Sequence, residues 1–334
     1  MAERPDTRSP VFSLKPYRPP RWLPNRHAQT IWPLAAKAAM PPYRRERWAT
    51  PDGDFIDLDW LPQHTDAPLL VLFHGLEGSS RSHYARSIMG AALALGWNGV
   101  VPHFRGCSGE PNRFARAYHS GDSAEIDWIL ARLAARHPAP VVAAGVSLGG
   151  NALLKWLGER AAESARPIAA AMAICPPLDL AISGRALAQG FNRIYTRHFL
   201  STLKAKALAK IAGGAAGFDG QRIRAARTLY DFDDAYTGPA HGFEGADDYW
   251  RRASARPWLG SIRLPCLLLV ADNDPFVPAA AWPDPSRLPP SLRFEVTAGG
   301  GHVGFPGGVG VAAPGWLAQR TLAHFAGILQ CDIR

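Results

Sequence analysis

The serine in Gly145-Val146-Ser147-Leu148-Gly149 has the sequence surroundings of a catalytic nucleophile. Residues 141–146 form an apolar run typical of a buried strand, and residues 152–157 carry apolar side chains at helical spacing. A strand, a sharp turn and a helix in this order would push the Ser147 hydroxyl clear of the backbone, with glycines leaving room for the turn. An ordinary glycine–serine turn has the same pattern, so the interpretation requires a base and an acid elsewhere in the chain.

The candidate base is His302. It lies in a glycine-rich loop, residues 299–304, directly after the strand predicted over Leu292–Val296. A histidine in such a loop is poorly placed for core packing. A serine hydroxyl has too high a pKa to attack unaided, so His302 would accept the proton of Ser147 and later donate it to the leaving group.

Three aspartates could orient His302. The strand predicted over 265–270 ends in Ala-Asp-Asn-Asp-Pro, which supplies Asp272 and Asp274. We prefer Asp274, one residue before the proline, because Asp272 is nearer the strand and should face elsewhere. Asp179, after the preceding strand, is the third candidate.

The predicted strand Leu69–Phe73 ends in a loop with the sequence HGLEGSS, residues 74–80. Its open backbone could supply one of two N–H donors to a developing oxyanion, from Leu76, and the second would come from Leu148. We expect His74 to anchor this loop through a backbone hydrogen bond. A plain strand-to-helix turn is the alternative for the loop.

The remaining chain supplies the elements that must position these groups. Pro51-Asp52-Gly53 joins two strand-like runs and predicts a hairpin. Alternating helices and apolar strands then continue to the C-terminus, with the last helix predicted over 313–329. Further predicted elements are helices over 82–95 and 122–135, and strands over 99–102 and 168–174.

Two segments depart from this alternation of strands and helices. Residues 1–42 predict an arm packed on the core, with a short helix around 28–39 and a packing role for His27. Residues 178–258 predict an inserted helical cap, which divides the core into residues 43–177 and 259–334. Candidates among the cap side chains to face the site are Phe191, Ile194, Tyr195, Phe199, Leu200 and Phe218. Packing in a helical core of the cap itself is the alternative for each of them.

Two further interpretations concern the loop after residue 102. Ser108 is a poor rival to Ser147, because Glu110 stands where the second glycine of the pattern would be. Arg105 and Asp122 could pair and so hold the loop in place.

Composition favours a single large globular domain, with 334 residues of which 47% are hydrophobic and 19% charged. The net charge of +9 is uneven: Met1–Trp48 holds ten Lys or Arg against three Asp or Glu, and Leu180–Thr228 holds nine against one. No RNA-binding aromatic motif, basic zipper or zinc finger accompanies it, so we expect no nucleic-acid partner. Weak attraction of the basic arm to anionic lipid stays open.

The N-terminal sequence is charged and contains proline, with no apolar stretch behind it, so we expect neither a cleaved signal nor a membrane span. The four cysteines show no CxxC pairing, which favours a reducing cytoplasm.

Several longer motifs give the sequence a family resemblance. They are PNRHAQTIWP, HGLEGSS, HFRGCSGEPNR with AYHSGD, GVSLGGN, YDFDDAYTGPAHGFEGADDYWRRAS, ADNDPFVP and GGGHVGF. In order and spacing they resemble the YheT-type (EMB8-like) α/β-hydrolases, from Pro24 to the C-terminus. The resemblance implies a cytoplasmic hydrolase of carboxylic esters with its triad at Ser147, Asp274 and His302. Asn273 stands where many members have another acidic residue, and eukaryotic members act on phospholipids or other acyl lipids.

Together, these observations predict an α/β-hydrolase fold, with a mostly parallel central sheet flanked by helices. The expected function is that of a serine carboxylesterase for short to medium acyl chains, working through an acyl-enzyme with no cofactor or metal. A lipase or phospholipase acting on membrane lipids is the alternative enzyme. A receptor-like protein that binds a ligand with negligible turnover is the alternative from another class. The oligomeric state is left open.

Overall fold

The computed structural model describes residues 15–35, 38–64, 66–160, 167–307 and 315–332. Eight strands form one sheet in the order β1-β2-β4-β3-β5-β6-β7-β8. From β4 to β8 all neighbours are parallel, whereas β2 runs antiparallel to both β1 and β4. The strands are β1 (Arg44–Ala49), β2 (Phe55–Trp60), β3 (Leu69–Phe73), β4 (Asn98–Pro102), β5 (Val141–Val146), β6 (Ala170–Ile174), β7 (Cys266–Ala271) and β8 (Leu292–Thr297). The predicted mostly parallel sheet is confirmed.

The predicted hairpin is formed by β1 and β2, whose register pairs Arg44 with Trp60. Gly53 takes a φ of 83° in the turn, a conformation that suits glycine. The guanidinium of Arg47 donates to the Asp57 carboxylate across the two strands over 2.8 Å. Ion pairing thus reinforces this edge of the sheet.

Helices cover both faces of the sheet. Along β3, Leu69, Val71 and Phe73 belong to one apolar cluster, and Leu70 and Leu72 to another, as the alternation of a strand requires. The first cluster includes α3 (Ser123–Arg136) and α4 (Leu148–Glu159), and the second includes α2 (His83–Ala94) and α11 (Trp316–Asp332). A three-layer α/β/α core results, with β5 near its centre.

Between β6 and β7 the chain passes through six helices. They form small apolar clusters of their own, one around Leu200, Ile223 and Phe232 and another around Tyr249 and Trp250. The helices are α5 (Leu180–Leu187), α6 (Arg193–Ala212), α7 (Gly220–Ala225), α8 (Leu229–Phe232), α9 (Gly238–Ala240) and α10 (Ala246–Ala253), with one π-helical turn over Asp233–Thr237.

The arm contains helix α1 (Arg26–Ala35), which begins and ends earlier than the predicted 28–39. The predicted start of the last helix at residue 313 lies outside the described residues. Among the helices that the structure describes, each is too short or too polar to cross a bilayer.

Candidate active site

Ser147 lies at the turn between β5 and α4, with φ 52° and ψ −119°. This strained backbone is tolerated because the residues two positions before and after Ser147 are glycines, which have no side chains. A Cβ on Gly145 would lie 2.5 Å from the carbonyl oxygen of Gly149, and a Cβ on Gly149 would lie 2.5 Å from that of His74. The close approach of three backbone segments therefore requires glycine at both positions.

The structure brings His302 and Asp274 to Ser147. The Nε2 atom of His302 lies 2.9 Å from the Ser147 Oγ, and its Nδ1 atom lies 2.9 Å from the Asp274 Oδ2. Because a carboxylate accepts, Nδ1 carries the proton and the Nε2 lone pair faces the serine hydroxyl. The other Asp274 oxygen accepts N–H bonds from Phe276, at 2.7 Å, and Val277, at 3.2 Å, so the carboxylate is held from both sides.

The two other aspartates have different partners. Asp272 accepts the backbone N–H of Gly299 over 2.7 Å and so supports the loop that carries His302. Asp179 accepts the N–H of Ile182 at the start of α5. Of the three candidates, Asp274 is the one hydrogen-bonded to the His302 ring within the described residues.

The predicted oxyanion donors, Leu76 and Leu148, line the same cavity as Ser147. Both neighbours of Leu76 donate their backbone N–H groups to tyrosine hydroxyls, of Tyr84 and Tyr118, over 2.8 and 2.9 Å. The N–H groups of Leu76 and Leu148 have no acceptor in the parts of the chain that the structure describes. They are thus free to bind a substrate oxygen.

His74 anchors the loop that carries Leu76, as expected. Its Nε2 accepts the N–H of Phe104 over 3.0 Å, and its Nδ1 donates to the carbonyl of Gly75 over 2.8 Å. Complete burial lowers the pKa of His74 to about 3, so the ring is neutral at physiological pH. A neutral ring can supply one donor and one acceptor, which this geometry requires.

The predicted pair between Arg105 and Asp122 is wrong. Arg105 instead donates to Glu125 and to Asp52, each over 2.7 Å. Asp122 caps α3 and pairs with Arg116 over 2.9 Å. Glu125 is nearly one helical turn beyond Asp122, which places its carboxylate against Arg105. Burial, together with the charge of Asp122, raises the pKa of Glu125 to about 7.

The arm helix α1 holds the loop of His302, a role that the sequence did not suggest. The backbone N–H of His302 donates to the Thr30 hydroxyl over 2.9 Å. The Gln29 side-chain oxygen accepts the N–H of Gly300 over 2.8 Å and the amide of Asn273 over 3.0 Å. The signal in the sequence was the pair of polar residues on what becomes the buried face of α1.

The ring of His27, also on α1, packs against Phe191 with centroids 4.4 Å apart, and its Nδ1 lies 3.3 Å from the Tyr195 hydroxyl. Its predicted packing role is confirmed.

A cavity of about 140 Å³ adjoins Ser147 and His302. Most of its wall is apolar, from the core and from α5, α6 and α8, and includes Pro177, Leu180, Leu187, Phe199, Leu203, Leu229, Phe232 and Phe276. Asp233 and Lys210 also line the cavity. Burial raises the pKa of Asp233 to about 6 and lowers that of Lys210 to about 8. The cavity suits an apolar chain with a few polar contacts.

Only Phe199 of the six predicted cap side chains lines this cavity. Phe191 and Ile194 are exposed, and Leu200 and Phe218 pack within the helices between β6 and β7. Tyr195 packs edge-on against Phe276, with centroids 4.7 Å apart. The other five candidates do not line the cavity, and for Leu200 and Phe218 the alternative of a local helical core is the one observed. Helical periodicity identifies an apolar face but not what the face packs against.

Comparisons with known proteins agree with this architecture. The family model described as alpha/beta hydrolase fold matches residues 68–309. The chain is 41% identical over 310 residues to "Putative esterase YheT" of Escherichia coli (strain K12), covering 90% of each chain. It is 29% identical to the embryogenesis-associated protein EMB8 of Picea glauca, covering 88% of this chain and 68% of that protein.

Phospholipase ABHD3 of Mus musculus is 28% identical over 317 residues, covering 91% of this chain and 75% of that protein. Among solved structures, the esterase Pf2001 of Pyrococcus furiosus aligns with a TM-score of 0.53 at 17% identity, covering 96% of this chain and 98% of that one. The fold prediction and the resemblance of the motifs are both confirmed. The chain therefore belongs to the α/β-hydrolase family, in the YheT-type (EMB8-like) group.

Proposed function

We propose that this protein is a serine hydrolase that cleaves carboxylic esters through an acyl-enzyme intermediate, with Ser147, His302 and Asp274 as its triad. The observation that carries the proposal is the His302 ring, whose two nitrogens lie 2.9 Å from the Ser147 Oγ and from the Asp274 carboxylate. A hydroxyl, an imidazole and a carboxylate in this arrangement are what acyl transfer requires.

In the first half of the reaction, the Ser147 Oγ attacks the ester carbonyl carbon while His302 Nε2 accepts its proton. Asp274 stabilises the imidazolium that forms. The N–H groups of Leu76 and Leu148 stabilise the negative charge on the carbonyl oxygen. The bond to the alcohol then breaks as His302 returns the proton to the leaving oxygen, which leaves the acyl group on Ser147.

In the second half, water attacks the acyl-enzyme and His302 accepts its proton. Collapse of the second tetrahedral intermediate releases the carboxylic acid, and the proton returns from His302 to the Ser147 Oγ. No redox change occurs, and each half uses the same oxyanion donors.

We further propose that residues 178–258 act as the cap of the site and that residues 1–42 are an arm supporting it. Side chains of α5, α6 and α8 supply much of the apolar wall beside Ser147, which suits an acyl chain. We propose short to medium acyl chains as the substrates, to be tested with esters of increasing chain length. The free thiols of Cys107, Cys175 and Cys266 support a cytoplasmic location.

A lipase or phospholipase activity is the second candidate. It is favoured by the relative named as a phospholipase and by an exposed aromatic surface beside the site. A receptor-like function with negligible turnover is the third, and it would leave the free N–H groups of Leu76 and Leu148 without a catalytic purpose.

Labelling with a fluorophosphonate tests the chemistry. We expect a single labelled site, lost in Ser147→Ala and retained in Ser108→Ala, since the hydroxyl of Ser108 instead donates to Asp57 over 2.6 Å. Labelling that persists in Ser147→Ala would overturn the assignment. Turnover of nitrophenyl esters of increasing chain length, alongside phospholipids in vesicles, then separates esterase from lipase, and ligand binding without turnover would indicate a receptor.

A further inference from the structure

Six large apolar side chains are exposed on and around helix α1 and the start of α6, and we name this set the aromatic face. Four belong to the arm and two to the segment that starts α6. Each has between 41 and 57% of its surface exposed: Trp22, Ile31, Trp32, Leu34, Phe191 and Ile194. Soluble monomers rarely leave such residues clustered at the surface without a partner.

Ring contacts join the two segments. Trp22 packs edge-on against Trp32, with centroids 4.8 Å apart. Phe191 packs against His27, with centroids 4.4 Å apart, and Ile31 lies one helical turn beyond His27 on α1. Ring contacts thus join α1 to the segment before Trp32, through Trp22, and to the start of α6, through Phe191.

The rim of the aromatic face is positively charged. No aspartate or glutamate occurs at positions 15–35 or 180–218. Five exposed arginines lie in the same two segments of the chain, and none of them has an ion-pair partner among the residues that the structure describes: Arg18, Arg21, Arg26, Arg193 and Arg197. Their charge is thus available to an anionic partner.

We propose that the aromatic face docks the protein onto an anionic phospholipid bilayer. Tryptophan and phenylalanine are suited to the headgroup boundary, isoleucine and leucine reach the acyl region, and arginine attracts acidic lipids. A second copy of the chain fits less well, because two such faces would bring their unpaired arginines together on proteins that each carry a net charge of +9.

The position of the aromatic face connects docking with the proposed function. Phe199 lies on α6, the helix that begins beside the face, and both Phe199 and Tyr195 contact Phe276. The ring of Phe276 lies against that of His302, with centroids 4.3 Å apart. The inference that docking brings lipid esters to the site depends on the proposed ester hydrolysis. The inference that the protein docks on the bilayer does not.

Flotation with vesicles tests the proposal. We expect the full chain to float with phosphatidylcholine vesicles containing phosphatidylglycerol, and to bind about tenfold less to phosphatidylcholine alone or in about 0.5 M salt. The double variant Trp32→Ser/Phe191→Ser should also bind anionic vesicles about tenfold less. Trp258→Ser and Phe114→Ser, exposed elsewhere, should float like the wild type.

Turnover of a water-soluble ester should be unchanged in all of these variants, which shows that they fold. Ser147→Ala should float like the wild type, so a failure of the proposed chemistry would not be mistaken for a failure of docking. The proposal is overturned if the wild type does not float with anionic vesicles, or if the double variant floats equally well. It is also overturned if size-exclusion chromatography shows a dimer that the double variant dissociates, because the face then binds a second copy.

Discussion

The Thr30 hydroxyl accepts the backbone N–H of His302 over 2.9 Å, although 272 positions separate the two residues. Thr30 also donates to the carbonyl of Arg26 within α1, over 2.8 Å. The orientation of the proposed base therefore depends on a helix of the arm. Thr30 is a positioning residue, since it acts through His302.

Thr30→Val should lower kcat for a soluble ester by about tenfold and leave KM nearly unchanged, because it leaves the partly buried N–H of His302 without its acceptor, at a cost of about 1–3 kcal/mol. Thr30→Ser should restore activity, since it keeps the hydroxyl. The matched control is Thr321→Val, which removes a buried hydroxyl within α11. Equal loss of kcat in the control would indicate a general effect on stability.

Asp274→Asn should lower kcat by about 10²–10⁴-fold, because an amide can present an N–H to His302 Nδ1 and so favour the wrong tautomer. The steady-state rate on a short nitrophenyl ester is the measurement. Asp179→Asn should stay within a few-fold of the wild type, since this residue caps α5. Asp272→Asn should have an intermediate effect through the loop that it supports. A larger loss in either control would reassign the acid.

Gly149→Ala should prevent stable folding, because the added Cβ would lie 2.5 Å from the backbone oxygen of His74 and 2.6 Å from that of Phe73. Neither backbone atom can move without disturbing β3. Gly90→Ala, inside α2 with nothing within 4 Å of the new Cβ, should instead stabilise by about 0.5–1 kcal/mol. Thermal unfolding measures both, and a well-folded Gly149→Ala with wild-type Tm would contradict the packing at the turn.

The titration of Asp233 should lower the free energy of unfolding as pH rises. Burial raises the pKa of its folded form to about 6, above the ordinary value of 3.8, so the folded state holds the proton more tightly than the unfolded chain does. Its contribution is therefore largest below pH 3.8, declines up to pH 6 and is flat above that. Two units of pKa correspond to about 3 kcal/mol.

Asp233→Asn should remove this pH dependence and raise the free energy of unfolding near pH 8. The Trp250 indole N–H donates to the Asp233 carboxylate over 2.8 Å in the wild type, and the amide oxygen of the variant can still accept it. Denaturant unfolding of both proteins from pH 4 to 8 gives the difference. The exposed Asp66→Asn serves as the control. A constant difference between wild type and variant across this range would show that Asp233 stays ionised in the folded protein.

The sequence predicted the parts of the site that local patterns determine. Ser147 follows from glycines that a tight turn needs, and His302 and Asp274 follow from where parallel strands end, because those ends meet at one edge of a sheet. From the sequence, Asp274 could be preferred to Asp272 only by assuming which side chain points toward His302. The hydrogen bond between His302 and Asp274 supplies that direction.

The contacts that it missed join distant positions. Nothing local pairs Thr30 with His302, or turns Arg105 toward Glu125 rather than Asp122. The prediction of which side chains of the proposed cap face the site was the least accurate. Along α6, Phe199 lines the cavity, Leu200 packs in a local core and Ile194 is exposed. Tertiary packing decides among these, and periodicity does not.

The hydrogen bonds from α1 to the loop of His302 also bear on synthesis. During translation, Thr30 is made 272 positions before His302, so helix α1 must wait for the loop that it holds. The nascent chain can form the turn around Ser147 early, yet the loop of His302 is held in place only after it has been made and has contacted α1. The proposed site is thus fully supported only when these two distant segments have come together.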